Sequence, residues 1–209
     1  MLIRPHDAGA EQEWKALLDR HRFGLLIAPG HDRELPVVVP THVAYDGRDR
    51  IRLHLARPNP VWRALDVNPV CMFTVVAAFT YVPTSWEAPI GTAPAWGIPT
   101  SHYATVQLRC IARIIDDVGG IRQILSDQLG LMQPDEPHGD PTSEDAPYRT
   151  ELRQIRGLEL TITTATAKFK FDGAEPDDVR RQVVNGYEQR RGPGDHEASE
   201  HLLRRHPPS

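Results

Sequence analysis

Nine residues, His54-Leu-Ala-Arg57-Pro-Asn59-Pro-Val-Trp62, bring together an imidazole, a guanidinium and the signals of a helix start. Imidazole ligates metals and moves protons near neutral pH. Guanidinium holds carboxylates and phosphates through paired N–H donors. Asn59 followed by Pro60 reads as the cap and first residue of a short helix carrying Trp62 and Leu65. The free N–H groups and the dipole of a helix start favour anions. Arg57 and Asn59 are therefore a candidate anion cradle, with the His54 imidazole beside it. The same stretch also fits a surface turn with an ordinary arginine.

Further groups of the same chemical kind recur along the chain. Thr41 and His42 close a valine-rich run. Tyr81, Thr84, Ser85 and Trp86 lie at the start of a proline-punctuated loop, and Thr100, Ser101, His102 and Tyr103 at its end. Lys168 and Lys170 alternate with Phe169 and Phe171, which puts both ammonium groups on one strand face. A flat anionic cofactor suits this set, with rings covering its plane and hydroxyls and cations holding its acid groups. Each member also has a plainer role: strand histidines are commonly hydrogen-bonded structural residues, lysine pairs solvated faces, and Trp62 core packing. HxxxH and CxxC spacings, a P-loop, G-x-S-x-G and G-x-G-x-x-G are all missing from the sequence. Zinc hydrolysis, phosphoryl transfer and Rossmann-type hydride transfer are poorly supported on that ground.

The elements that must position these groups follow from periodicity. A helix is predicted over residues 10–20, and strands over 23–28, 36–45, 50–56, 70–77, 103–115 and 158–171. In 50–56, Ile51, Leu53 and Leu55 share one face and Arg52, His54 and Ala56 the other. Asp46-Gly47 marks a hairpin, residues 81–97 a loop, and Asp116-Asp117 the cap of a helix reaching residue 131. Residues 133–147 read as a mobile linker, and 176–190 as a last helix. The pattern is mainly β with peripheral helices, an α+β antiparallel barrel. Residues 1–190 are expected to form one domain, with a loose Gly-, Pro- and charge-rich tail at 191–209.

Composition sets limits. The net charge of −4 and a pI near 6.2 argue against a general nucleic-acid binder, and no helix-turn-helix pattern is seen. Cys71 and Cys110 lie in apolar runs and read as buried thiols. No apolar run reaches membrane-spanning length, so a cytoplasmic protein with a small-molecule substrate is expected.

HLARPNPVW resembles the HxxRANPxW signature of the PaiB-like proteins, described as FMN-binding and regulatory. Val39-Pro-Thr41-His42, Tyr81-Val-Pro-Thr84-Ser85-Trp86, the Ile98 to Gln107 segment and residues 157–171 resemble further family motifs in the same order. The resemblance implies an FMN-binding split barrel, a homodimer with cofactor at its interface, and a role as oxidoreductase or negative transcriptional regulator. The chain departs from the family at Ser101-His102, where Trp-Asn is usual, and at Gln107, where histidine is usual; it also lacks a lysine after Trp86. A related branch, the haem-dependent piperazate synthases, closes N5-hydroxyornithine to piperazate with loss of water, forming an N–N bond. By that resemblance His54 ligates the iron of haem b and Arg57 holds a propionate. Lys168, Lys170, His102 or Thr100 then serve substrate and proton transfer. The departures place haem b slightly ahead of FMN.

Overall fold

Alternation in sequence becomes alternation of faces. In β4 (Arg50–Ala56), Ile51, Leu53 and Leu55 are buried and the intervening side chains point the other way. The computed structural model describes residues 1–143 and 148–207. Its chain divides into two compact units, one of Leu18–Val75 and Gln107–Ala165, the other of Met1–Leu17, Val76–Val106 and Thr166–Ser209. Three long strands contribute to both: β5 (Val70–Val82), β6 (Thr100–Ile115) and β7 (Ile155–Lys170).

The first unit is the barrel. β1 (Phe23–Ala28) pairs antiparallel with β2 (Val37–His42), from Phe23↔His42 to Ala28↔Val37, and with β5 around Leu26↔Phe73. β4 pairs with β7 from Arg50↔Thr161 to Ala56↔Ile155, and with the two-residue β3 (Ala44–Tyr45). The strand order is β2-β1-β5-β6-β7-β4-β3. Its two ends, β2 and β3, are consecutive in the chain and separated by Val43 alone. A sheet whose end strands are joined by one residue has to curl until its edges meet. Val43 sits in that seam, fully buried, its N–H donating to the Arg22 carbonyl at 2.8 Å. Leu26, Ile51, Leu53, Phe73, Leu108, Leu158 and Leu160 fill the interior and are all fully buried. The chain is an α+β protein built on an antiparallel split barrel, as its periodicity and family resemblance predict.

Helices close the barrel unit. In α2 (Val61–Val67) the cap position is Pro60, one residue later than predicted, yet the Asn59 side chain still accepts the Val61 N–H at 3.0 Å. Trp62 is buried, donating its ring N–H to the Ala56 carbonyl at 2.9 Å, with the Arg156 guanidinium 5.0 Å over its ring. α3 (Val118–Met132) is capped as expected by Asp117, which accepts from the Gly120 N–H at 2.7 Å. Its Ile121 and Ile124 pack with Ile115 and Leu152, the latter beside α4 (Tyr148–Glu151). Residues 144–147, the end of the predicted linker, lie outside the described residues. Cys71 and Cys110 are free, buried thiols, each pushed up to about 12 by burial. Among the described residues no helix is long and apolar enough to cross a membrane.

Three strand boundaries differ from the periodicity. β5 runs on to Val82, because Ala78 adopts a left-handed backbone (φ 52°) and leaves Ala77 and Ala78 both buried. That break in alternation has the character of a bulge and hides the continuation. β6 begins at Thr100, so Thr100, Ser101 and His102 are strand residues. β7 begins at Ile155 and ends at Lys170.

The second unit holds most of α1 (Glu11–Arg20), the far ends of β5 to β7, α5 (Asp177–Arg190) and α6 (Asp195–Arg205). The loose tail expected from the sequence is a helix instead. Ala198, His201 and Leu202 share a buried face of α6, a pattern masked by the surrounding charge and glycine. Arg205 anchors its end, donating to both Glu13 carboxylate oxygens (2.5 and 2.6 Å) and to the carbonyls of His6 and Ala8 (3.1 and 3.0 Å). Burial raises the Glu13 pKa, but the Arg205 bonds, the Ala10 N–H and nearby arginine charge outweigh it and leave it below the usual carboxylate value. A carboxylate lowered in the folded state contributes stability above its unfolded pKa and loses it as pH falls through the folded one. Arg205→Met is therefore expected to cost about 1.5–3 kcal/mol at neutral pH. Urea titrations at several pH values should show the gap to wild type closing as Glu13 protonates.

Candidate functional site

β4 turns Arg52 and His54 toward α3. His54 Nδ1 lies 2.6 Å from the Oε1 of buried Gln128. An amide oxygen only accepts, so the ring proton sits on Nδ1 and the Nε2 lone pair is left free. Partial burial lowers the His54 pKa, opposed by the Gln128 bond and reinforced by His42, so neutral imidazole is its resting form. The His42 ring stands edge-on, its centroid 5.8 Å away, across the barrel seam. Two grooves flank this face. One of about 440 Å³ is lined by Arg20, Arg22, Phe23, His42, Leu131 and Met132. The other, about 430 Å³, is lined by Tyr45, Arg50, Arg52, Ser126, Asp127 and Leu131. Both fall in the size range of cofactor sites.

The arginines here differ in how far they are committed. Arg52 donates to Glu159 at 2.9 Å and Asp127 at 3.1 Å, and Arg113 reaches Glu159 at 2.8 Å. Burial raises the Glu159 pKa, but these bonds hold it below the carboxylate range. Arg50 is half-exposed and only 3.8 Å from Glu159. Arg57, expected to cradle an anion, is instead tied into the fold: it donates to the carbonyls of Arg153 (3.0 Å) and Ile155 (3.1 Å) and to Asp116 (3.3 Å). With Asn59 occupied by the Val61 N–H, the donors predicted to form the anion cradle already have protein partners. Thr41 is buried, its hydroxyl donating to the His42 carbonyl at 3.2 Å.

The remaining predicted residues lie in the second unit, where the structure gathers some of them around a cluster the sequence does not announce. His102, fully buried on β6, places Nδ1 2.7 Å from the Tyr187 hydroxyl of α5. Its Nε2 is 2.6 Å from Asp172 Oδ1, but off the line a hydrogen bond requires. Glu87 completes the group, following a 3-10 turn at Thr84–Trp86. Burial first, then the charges of Asp172 and Glu175 and a bond to Asp172, push the Glu87 pKa up to about 8, with Lys170 opposing. Burial likewise raises the Tyr187 phenol.

α5 fixes this loop. Gln182 donates to the carbonyls of Trp86 (2.8 Å), Ala88 (3.1 Å) and Ser85 (3.3 Å). The Trp86 ring meets Tyr187 edge-on at 5.5 Å beneath the Arg190 guanidinium, 4.6 Å from its centroid. Gly186 permits that approach, since a Cβ there would fall 2.4 Å from the indole. Lys170 donates to Thr100 Oγ1 and, at 3.0 Å, to the Ser101 carbonyl. Lys168 lies 3.8 Å from Asp7 and 5.6 Å over the Tyr103 ring, and Tyr81 is exposed with its carbonyl bound by Arg190 at 2.9 Å. The lysines and Phe169 and Phe171 do take opposite faces, as the alternation predicts. Glu87, Asp172 and Tyr187 escape a sequence reading because 15 and 70 residues separate the three acidic and histidine positions.

The sequence model of a family described as "Putative FMN-binding domain" matches residues 1–164. Among solved structures, the chain is similar to the FAD and haem binding protein from Mycobacterium smegmatis, with a TM-score of 0.60 and 20% identity over 87% of this chain and 80% of that one. It is also similar to a conserved hypothetical protein from Mycobacterium tuberculosis (TM-score 0.58, 14% identity, 84% and 94% covered). The flavocytochrome from Azotobacter vinelandii gives a TM-score of 0.56 at 16% identity, with 80% and 74% covered. At these identities the likeness is one of fold. None of the curated proteins matches the chain.

Proposed function

Because the chain belongs to this FMN-binding-domain family, we propose that its barrel unit binds a planar, negatively charged redox cofactor beside His42 and His54, with haem b favoured and FMN second. His54 carries the haem reading: a neutral imidazole, oriented by Gln128, whose Nε2 has no protein partner among the described residues. The donor set fits, since neutral histidine is a common axial ligand and the half-exposed Arg50, with Arg20 and Arg22, lines the grooves where acid groups would lie. Bound haem supplies Lewis-acid or electron-transfer chemistry at its iron. His54 would hold the metal, Gln128 would keep the ring in one tautomer, and α3 would shield that face from water.

FMN is supported by the family match itself and by the arginine-lined grooves, which suit a phosphate. The M. smegmatis relative, by its description, binds both FAD and haem. A homodimer with cofactor at its interface belongs to the proposal, and sedimentation velocity checks it. The narrowest version is closure of N5-hydroxyornithine to piperazate with loss of water, in which the chain would protonate the leaving oxygen and accept a proton from the amine. Its candidate residues are otherwise engaged, Lys170 by Thr100 and Ser101, and His102 within the buried cluster. Cyclisation therefore rests on family resemblance alone.

The test is spectroscopic. Purified protein offered haem should give one intense Soret band, and offered FMN the paired flavin bands. His54→Ala should lose the Soret band while keeping its far-ultraviolet circular dichroism. A haem spectrum unchanged in that variant removes His54 as ligand, and no uptake of either group overturns the proposal.

A further inference from the structure

We propose that Glu87, His102 and Asp172 form a binding site for one divalent transition-metal ion of the zinc or manganese class. One donor atom from each lies within 4.8 Å of the others. All three are withdrawn from water: His102 is 0% exposed, Glu87 9%, and the Asp172 side chain 6%. Glu87 Oε1, His102 Nε2 and Asp172 Oδ2 are buried with no hydrogen-bond partner among the described residues. Buried polar atoms without partners are rare in folded proteins, and one on each of three clustered metal-ligating side chains points to a missing ligand.

The surroundings suit a cation. The Tyr187 hydroxyl lies 2.7 Å from His102 Nδ1 and can accept its proton, which would direct the Nε2 lone pair at the carboxylates on metal binding. A ligating histidine is held this way, by a hydrogen bond from its other nitrogen. Asp172 takes a left-handed backbone (φ 49°), which aspartate adopts more readily than most residues, at the start of a turn closed by the Glu175 N–H on its carbonyl. The donors come from three separate places: the Gln182-pinned loop, β6, and the chain just beyond β7. One imidazole and two carboxylates form a mixed nitrogen and oxygen set, which suits Zn²⁺ or Mn²⁺ better than Ca²⁺ or Cu⁺. Three protein ligands leave a coordination position open, as in sites that act on a bound molecule. Among the described residues no lysine or arginine is hydrogen-bonded to Glu87 or Asp172, so a bound dication would supply the positive charge these carboxyl groups lack.

Chelator-stripped protein is titrated by calorimetry with Zn²⁺ and separately with Mn²⁺, and by visible absorption with Co²⁺. The expected result is one ion per chain, a raised thermal midpoint, and intense Co²⁺ bands of a four- or five-coordinate site. Glu87→Gln with Asp172→Asn, which keeps shape while removing the ligand charges, should weaken binding by at least roughly 100-fold. His54→Ala should leave it intact, which separates this site from the cofactor proposal. Failure of the stripped wild type to take up any of the three ions, a Co²⁺ spectrum like that of the free aqueous ion, or uptake lost in His54→Ala overturns the assignment. Unchanged affinity in the double variant does the same, and His102→Gln repeats the measurement should that variant not fold.

Discussion

Gln128→Leu is expected to weaken haem binding by about 10–100-fold without unfolding the barrel, the effect seen when the partner that orients a ligating histidine is removed. Gln128 does two things to His54: its Oε1 accepts the Nδ1–H at 2.6 Å, and it resists the fall in imidazole pKa that burial imposes. Leucine is of similar size, so α3 keeps its packing while the ring loses its preferred tautomer and rotamer. Competitive transfer of haem to apomyoglobin gives the affinity, and denaturant unfolding of the apoprotein gives the stability. An intact affinity would mean that orientation of His54 contributes nothing to cofactor retention. The lowered pKa also sets an acid limit. Below the ordinary histidine value the unfolded chain binds a proton that the folded one resists, so apoprotein stability from this residue declines as pH falls.

Asp195→Ala is expected to cost about 3 kcal/mol, near the lower end for breaking a buried ion pair because its arginine keeps some access to water. Asp195 is 1% exposed and accepts from Arg190 Nε (2.9 Å) and Nη2 (2.6 Å), the Thr80 hydroxyl (2.6 Å) and the Gly192 N–H (2.7 Å). Burial raises its pKa, yet these bonds leave it below the carboxylate norm. Alanine strands the Thr80 hydroxyl, the Gly192 N–H and Arg190 Nε, and leaves Arg190, which covers Trp86, held only through Thr80 and the Tyr81 carbonyl. Both the start of α6 and the Trp86 loop should loosen, read as faster amide exchange there and a lower urea midpoint. A change under about 1 kcal/mol would show that surface-like hydration compensates the lost pair.

The barrel was legible because its strands obey a period of two: β4 and the first half of β5 follow their buried faces residue by residue. The His54 face was legible for the same reason. Helix starts were readable where a side chain supplies the cap, as at Asp117 and, within one residue, at Asn59. What escaped is non-local. Arg57 looks like an anion-binding residue until Asp116, 59 residues on, and the Arg153 and Ile155 carbonyls, 96 and 98 residues on, take up its donors. α6 hides its apolar stripe in a charged, glycine-rich segment, and only the Arg205 anchor on Glu13 shows why it settles. Glu87 and Asp172 have no spacing signature at all, because a loop and a strand end bring them to His102.

The single-residue link at Val43 has a consequence for chain connectivity. Circular permutants with new termini at that point would free the first and last ribbons of the cylinder from their tether, baring two rows of unpaired amides. Such permutants should self-associate into strand-exchanged oligomers, whereas cuts in the Asp46-Gly47 bend, which leave the tether whole, should stay dispersed.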